Sequence, residues 1–549
     1  MSAPYVIGFS DSVHDRALCL FHGAEPVVAI EEERLTRLRH GLDFQGLDRH
    51  DAAVFTKLDL DGGSSAEHTA RLRRMVDYCL SAAGVAESDV RLWIGNSLHT
   101  AFPLLDRAVY LNHHLAHAAS AFYGSAAAEA AVLVLDGYGD ATGQDAYEAV
   151  SIYRGDERGL TLLHQVSGRP DGIHLSESLG IFYRVGTVLS GFTVVDEGKA
   201  MGLAGYGTPR HLDRLLARMR FGESVVEIDN EGIWKDMREV PAASFAERAD
   251  VAASFQAALE RVMLFYARVA RRLTGSDVLC VAGGVALNCL GNQRVLTESG
   301  FDDVFVFPAA ADNGISLGAA YYGAHVILGQ ERTGGLATPC LGRAYARSDT
   351  AGALAEAGLD AEISDVGQDE CARRAAAHLA DGELVMWFQE GSEIGPRALG
   401  HRSVFGDPRS VDTRDHLNAA VKSREPFRPL APIVLEEHVS EWFDCGRSPH
   451  MLFTPPVRPR TAELAPAVVH VDGTARVQTL AATDNPVVHL LLREFLGRTG
   501  VPLVINTSFN LRGEPIVETP LDAVTAFAES PVRVLCADGF HVVKHGLRR

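Results

Sequence analysis

Residues 5–30, YVIGFSDSVHDRALCLFHGAEPVVAI, hold three short apolar runs, 5–10, 17–21 and 26–30, separated by turn residues. Apolar runs of that length between Gly, Asp, Ser and Pro clusters read as a β-meander. A related pattern restarts at 131–140, AVLVLDGYGD, where a buried strand again runs into a Gly/Asp turn. Two such starts predict an internally duplicated α/β domain. Between them and the next break, Phe255, Leu259, Val262, Tyr266, Val269 and Leu273 recur at three- and four-residue spacing, which predicts a scaffold helix over 254–274. The first domain should close after the strand, turn and helix of 304–328. The Gly-, Thr- and Pro-rich stretch 334–341 reads as a linker. A second α/β unit is expected from near Ala346, with helices around 370–379 and 487–496 and strands at 384–388, 502–505 and 532–536. The expected domains are therefore 1–345 and 346–549.

A chain of 549 residues exceeds what one core usually supports, which agrees with two domains. Its 71 acidic against 51 basic residues leave a net charge of −20, and a polyanion needs the opposite: a basic face that neutralises many phosphates. An extended nucleic-acid surface is thereby disfavoured, and a small substrate is favoured. The eight cysteines, at 19, 79, 280, 289, 340, 371, 445 and 536, form no CxxC pair and several lie in apolar runs, so they read as reduced core thiols. No basic-apolar leader and no apolar run of about 18 residues appears. A cytoplasmic protein without a membrane span is the expectation.

Against the acidic background, cations gather on Gly- and Pro-stiffened loops of the last third. Arg397 and Arg402 lie in GPRALGHRS (395–403), Lys422 and Arg428 in KSREPFRPLAP (422–432), and Arg476 in HVDGTARVQT (470–479). A surface ion pair is the bland reading of any one of them. Several on separate rigid loops point to a phosphate or pyrophosphate site. Asn506, Thr507 and Ser508 follow a buried strand and could add amide and hydroxyl donors.

In the first domain, His113 and His117 of NHHLAHAASAF (112–122) lie one helical turn apart, so both imidazoles can meet one metal ion; His114 points about 100° away. The alternative is a pair of packing histidines. Asp136 ends a strand and Asp312 lies in AADNG (310–314), both in turns where carboxylates could face a cleft. Gly283 and Gly284, after the strand 278–281, let backbone amides approach a nucleotide, or simply make a tight turn. Lys199 of EGKAMGLAGYG (197–207) is a further cation, or a structural ion-pair partner. His14 sits in the turn between the first two strands with Asp11 before it, and the charged run Glu31, Glu32, Glu33, Arg34, Arg37, Arg39 and His40 borders the same region or is a solvated face.

Taken together, GPRALGHRS, KSREPFRPLAP, HVDGTARVQT and NTSFNLRGEPIVETP (506–520), with NHHLAHAASAF, EGKAMGLAGYG and AGGVALN (282–288) upstream, resemble the ATP-dependent O-carbamoyltransferases of natural-product tailoring. That family includes tobramycin, cephamycin and nodulation-factor carbamoyltransferases, and the resemblance runs from about residue 5 to the C-terminus. It implies an N-terminal duplicated domain of the actin-like ATPase and sugar-kinase superfamily, similar to the transfer RNA threonylcarbamoyl transferase fold. The C-terminal α/β domain would be similar to threonylcarbamoyl-AMP synthase. The resemblance maps a metal site, with Fe(II) or another divalent ion, onto His113, His117, Asp136 and Asp312. It makes His14 the general base and Asp11 an acceptor contact. Arg397, Lys422, Arg428, Arg476, Asn506, Thr507 and Ser508 would bind ATP and carbamoyl phosphate, with Mg; Gly137, Gly283, Gly284, Asn288 and Lys199 would bind carbamoyl-adenylate. Arg39 stands where the family often carries Lys. The implied partner is a small-molecule hydroxyl acceptor in antibiotic or other secondary metabolism, without nucleic acid or membrane, and a homodimer is compatible. A transfer RNA threonylcarbamoylation enzyme and an actin-like ATPase or binding module are the rival readings.

Overall fold

The computed structural model describes residues 3–12, 14–41, 65–97, 107–171 and 174–546. It divides into one unit of Met1–Thr36 with His40–Ala337 and another of Arg37–Arg39 with Thr338–Arg549, so the main division falls inside the Gly-, Thr- and Pro-rich stretch.

The first unit opens with β1 (Tyr5–Asp11), β2 (Ala17–His22) and β3 (Glu25–Glu31), and continues with β4 (Val90–Ser97), β5 (Val109–Tyr110) and α1 (His113–Gly124). It then repeats the pattern with β6 (Ala130–Leu135), β7 (Ala146–Asp156) and β8 (Gly159–Gly168). After α2 (Phe245–Thr274) come β9 (Val278–Ala282), β10 (Asp303–Val306) and α3 (Ile315–Tyr322). In the first sheet the order is β3-β2-β1-β4-β5, with β1 antiparallel to β2 and parallel to β4. The second sheet runs β8-β7-β6-β9-β10, with the short strand Ala141–Gly143 also paired to β7, and with β6 antiparallel to β7 and parallel to β9. Both halves thus share one strand order and one pattern of directions, which makes the unit a duplicated α/β domain.

Why β6 forms follows from its neighbours. Flanked on both edges, its six residues AAVLVL are all buried, and a strand covered on both faces needs a continuous apolar run. Helix α2 contains the expected 254–274 segment and begins earlier, at a capping box in which Ser244 and Glu247 bond each other's backbone N–H. Gly275, at φ 69°, ends it in a left-handed C-cap. Leu273, counted on the apolar stripe, is exposed in its last turn.

Helix α1 is held against α3 by a backbone contact. A Cβ on Gly318 would lie 1.9 Å from the Ala116 carbonyl oxygen, so only glycine fits there. The contact seats the two histidines of α1 beside Asp312, which immediately precedes α3.

The second unit carries β11 (Ala361–Asp365), α4 (Gln368–Ala380), β12 (Val385–Phe388), β13 (Arg402–Gly406), β14 (Ala431–Leu435), β15 (Gln478–Leu480), α5 (Pro486–Thr499), β16 (Leu503–Ser508), α6 (Pro520–Glu529), β17 (Val534–Ala537) and β18 (Phe540–Lys544). Its eight strands form one sheet in the order β11-β18-β17-β12-β13-β16-β14-β15, over a core that includes Trp387, Phe405, Leu491, Phe495 and Phe527. Antiparallel pairing sets Ser403 against Ser508 and Phe405 against Asn506. Among the described residues no helix is long and apolar enough to cross a membrane.

Candidate functional site

In the first unit, Asn112 accepts the Leu115 N–H at 2.9 Å and starts α1, so His113 and His117 project from successive turns of one helix face. They meet Asp136, just past β6, and Asp312. His113 Nε2 lies 3.0 Å from Asp136 Oδ2 and 3.7 Å from Asp312 Oδ1; His117 Nε2 lies 3.6 Å and 3.4 Å from the same two atoms. With metal bonds of about 2.1 Å, ligands at right angles stand about 3.0 Å apart and tetrahedral ones about 3.4 Å. The four atoms are therefore spaced for one ion. A second observation agrees: His117 Nε2, which faces the two carboxylates, is buried without a hydrogen-bond partner, a cost that a metal bond there would remove. Burial alone would disfavour the His117 imidazolium, but Asp136 and Asp312 outweigh it and raise its pKa to about 9. The pocket attracts a cation, whether proton or metal.

His114 stays out of this set, as the helical spacing predicts. Its Nδ1 meets Ser151 Oγ at 2.8 Å, and burial holds it well below the ordinary imidazole value. Residues that sequence reasoning passed over complete the surroundings. Asn96, at the end of β4, lies with Oδ1 3.1 Å from His113 Nδ1. Asp140 accepts the His113 backbone N–H at 2.8 Å and Asn112 Nδ2 at 3.2 Å.

The other first-unit candidates have placements that bear on their roles. His14 follows β1, and its Nδ1 is 3.0 Å from Asp15 Oδ2. Asp11 is buried, with Arg16 Nε donating to it at 3.2 Å. Gly284 N–H donates to Asp136 Oδ1 at 3.0 Å, and Gly283 N–H to the Ala310 carbonyl at 2.9 Å, so this glycine turn orients a metal-site carboxylate. Gly137 receives the Ser178 hydroxyl on its carbonyl at 2.7 Å. Asn288 caps the following helix through Gly291 N–H at 2.9 Å and exchanges amide bonds with Gln256. Lys199 pairs with Asp196 at 3.0 Å, the structural partner foreseen as its alternative role.

In the second unit the cations concentrate on one region. Lys422 is buried, and its Nζ donates to Asn510 Oδ1 at 2.7 Å, to the Asn510 carbonyl at 3.0 Å and to the Ser508 carbonyl. Burial, then Arg424 and Arg428, push its pKa well below the usual lysine value. Arg424 is pushed down to about 9 by burial, then by Arg428 and Arg476. Among the described residues neither Lys422 nor Arg424 makes an ion pair, and one guanidinium nitrogen of Arg424 is buried without a partner. Arg424 and Arg428 face Lys422, and Arg428 and Arg476 face Arg424, as neighbouring positive charges, with Glu425 3.9 Å from Arg428; a gathering of perturbed cations of this kind marks a candidate anion site. Arg424, part of the basic stretch 422–432, and Asn510 were given no role in the sequence, although each stands two residues from a residue singled out, Lys422 and Ser508.

The turn 395–403 behaves differently from its first reading. The anion in its backbone amides is the chain's own Glu393, whose Oε1 accepts N–H from Leu399 at 2.6 Å and His401 at 2.9 Å. Arg402 is fully buried over the Phe388 ring and donates to the carbonyls of Gln389, Glu390 and Glu518. It is a structural residue. Arg397 is half-buried, on a turn whose next two carbonyls accept Asn506 Nδ2 at 3.1 Å and Gln478 Nε2 at 2.8 Å. Asn506 therefore braces the Arg397 turn, Ser508 touches Lys422, and Thr507 lies between them on β16.

Family models described as the carbamoyltransferase N-terminus and C-terminus match residues 5–321 and 376–544. The chain belongs to the O-carbamoyltransferase family. Among curated relatives, nodulation protein NolNO of Sinorhizobium fredii is 34% identical over 97% of this chain and 79% of its own length. Nodulation protein NolO of Bradyrhizobium diazoefficiens is 37% identical over 79% of each. The 3'-hydroxymethylcephem-O-carbamoyltransferase of Streptomyces clavuligerus is 33% identical over 60% of this chain and 61% of its own. Among solved structures, full-length HypF in its phosphate- and nucleotide-bound form shares 16% identity at a TM-score of 0.37, covering 60% of this chain and 56% of that one. As a family member the protein is a transferase of carbamoyl groups, and the two clusters are the candidate places for that chemistry.

Proposed function

We propose that this carbamoyltransferase works in two steps at two sites, carried by the convergence of Lys422, Arg424, Arg428 and Arg476 in the second unit. Four cations gathered in one region suit a substrate richer in charge than one phosphate. Carbamoyl phosphate, ATP and water would there give carbamoyl-adenylate, phosphate and pyrophosphate, since a carbamate becomes a good electrophile once AMP is its leaving group. Asn510 and Ser508 hold Lys422, and the Asn506-braced turn presents Arg397.

Transfer belongs to the first unit. His113, His117, Asp136 and Asp312 would hold the divalent ion, with Fe(II) the one the family resemblance implies. Such an ion supplies Lewis acidity to the carbamoyl group. His14 takes the proton of the acceptor hydroxyl as its oxygen attacks the carbamoyl carbon and AMP leaves. Gly137, Gly283 and Gly284, at the ends of β6 and β9, lie where the adenylate would approach Asp136, and Asp11 is the acceptor contact. The acceptor class is a small-molecule hydroxyl, as the name of the cephem relative states for that protein.

The test is pyrophosphate release from ATP that depends on carbamoyl phosphate. Arg424→Ala and Lys422→Ala should each lose it while keeping the wild-type circular dichroism spectrum and metal content. Near wild-type release in both would overturn the assignment.

A further inference from the structure

His14 is held by a second histidine through one shared carboxylate. Asp15 Oδ2 lies 3.0 Å from His14 Nδ1, and Asp15 Oδ1 lies 2.7 Å from His40 Nδ1. The backbone closes the same loop, with Asp15 N–H donating to the His40 carbonyl at 3.1 Å and His40 N–H to Glu33 Oε2 at 2.7 Å. Asp15 at φ 58° and His40 at φ 59° both occupy the left-handed region, which L residues rarely adopt. Two strained residues locked to each other are characteristic of a site where position matters more than backbone comfort.

An ionised carboxylate only accepts hydrogen bonds. Each imidazole facing it must therefore present Nδ1–H, which leaves the lone pair of His14 on Nε2. We propose that Asp15 is the positioning residue of the transfer step: it fixes the tautomer and plane of His14, and His40 braces Asp15 from the other side. The inference rests on the reading of His14 as the base. In the proton transfer it describes, the acceptor O–H bond breaks, the proton goes to His14 Nε2, and the oxygen's electron pair forms the bond to the carbamoyl carbon as the AMP oxygen departs.

The charged groups around His14 agree with that role. Burial disfavours its imidazolium, but Asp15 outweighs burial and raises the pKa to about 9; Asp312 adds to the rise and Arg184 opposes it. The transfer rate should accordingly climb with pH towards about 9, as the neutral imidazole becomes available.

The experiment follows AMP release by the metal-loaded full chain from ATP and carbamoyl phosphate, with ethylene glycol and water as hydroxyl probes. Asp15→Asn should lower the maximal rate by up to the roughly 10²- to 10⁴-fold worth of a general base and move the pH midpoint down towards the ordinary 6.5. Asp15→Glu should restore the midpoint in part. His40→Gln should move it in the same direction by less. A wild-type midpoint in Asp15→Asn, with His14→Asn slowed, overturns this inference alone. Undiminished release in His14→Asn overturns the underlying reading. Should Asp15→Asn not fold, ¹⁵N NMR of histidine-labelled wild type decides: at alkaline pH the proton of His14 is expected on Nδ1, and a proton on Nε2 overturns the proposal.

Discussion

Replacing Asn96 by alanine isolates what the surroundings of the metal site contribute without touching a ligand. Asn96 is 4% exposed at the end of β4, and its Nδ2 donates to the Leu111 carbonyl at 2.9 Å. That bond turns Oδ1 towards His113 Nδ1, 3.1 Å away, so the imidazole donates Nδ1–H to it and keeps Nε2 for an ion that Asp136 and Asp312 would share. Without Asn96 the ring loses the cue that fixes that tautomer among the described residues. Outer partners of this kind typically carry 10- to 100-fold in metal affinity, which is about 1.4–2.7 kcal/mol. The orphaned Leu111 carbonyl adds a stability cost of about 1–3 kcal/mol, read separately. The assay is competition between the protein and a chelator for Co(II), followed by its visible absorption, with thermal unfolding of the metal-free variant measured alongside. A dissociation constant within twofold of wild type, together with lowered thermal stability, would refute the reasoning, because Asn96 would then support the fold and leave His113 unaffected.

Two further outcomes follow from the same site. With the His117 pKa held at about 9 in the metal-free protein, by Asp136 and Asp312 against the effect of burial, metal binding must displace a proton below about pH 9. Affinity should therefore rise close to tenfold per pH unit and level off above that range, with one proton released per ion in calorimetry across buffers of different ionisation enthalpy; pH-independent binding would contradict it. The stability linked to that imidazolium is fully present below 6.5 and lost as pH climbs through about 9. Gly180→Ala places a Cβ 2.5 Å from Gly137 Cα and 3.1 Å from the Asp136 carbonyl carbon. Overpacking there should cost about 1–3 kcal/mol in chemical denaturation and lower metal occupancy, since the displaced atoms belong to a ligand residue; unchanged values in both would contradict the packing argument.

What the amino-acid order determines unaided is what covalent geometry ties to nearby positions. The apolar runs between 5 and 30, their restart near 131 and the stripe of α2 are legible because strand and helix periods act within a few residues. The spacing of His113 and His117 is legible for the same reason: four residues make about one turn in any α-helix. Packing decides the rest. That β6 lies between β7 and β9, that Gly318 lets α3 reach α1, and that Asp312 thereby arrives opposite His113 are consequences of contacts between distant segments. Asn96 and Arg424 were given no role, because an amide carries no local mark of function and Arg424 is not told from its basic neighbours in 422–432; Asn96 gains one from the ring it faces, and Arg424 from the cations that crowd it in a buried place. The 395–403 turn shows the converse, since its shape as an anion cradle was legible, while only the folded chain places Glu393 in it. Short-range pattern is set by bond geometry and solvent, whereas the meeting of charges far apart in sequence depends on how complete elements pack, and at these sites that meeting is where the chemistry resides.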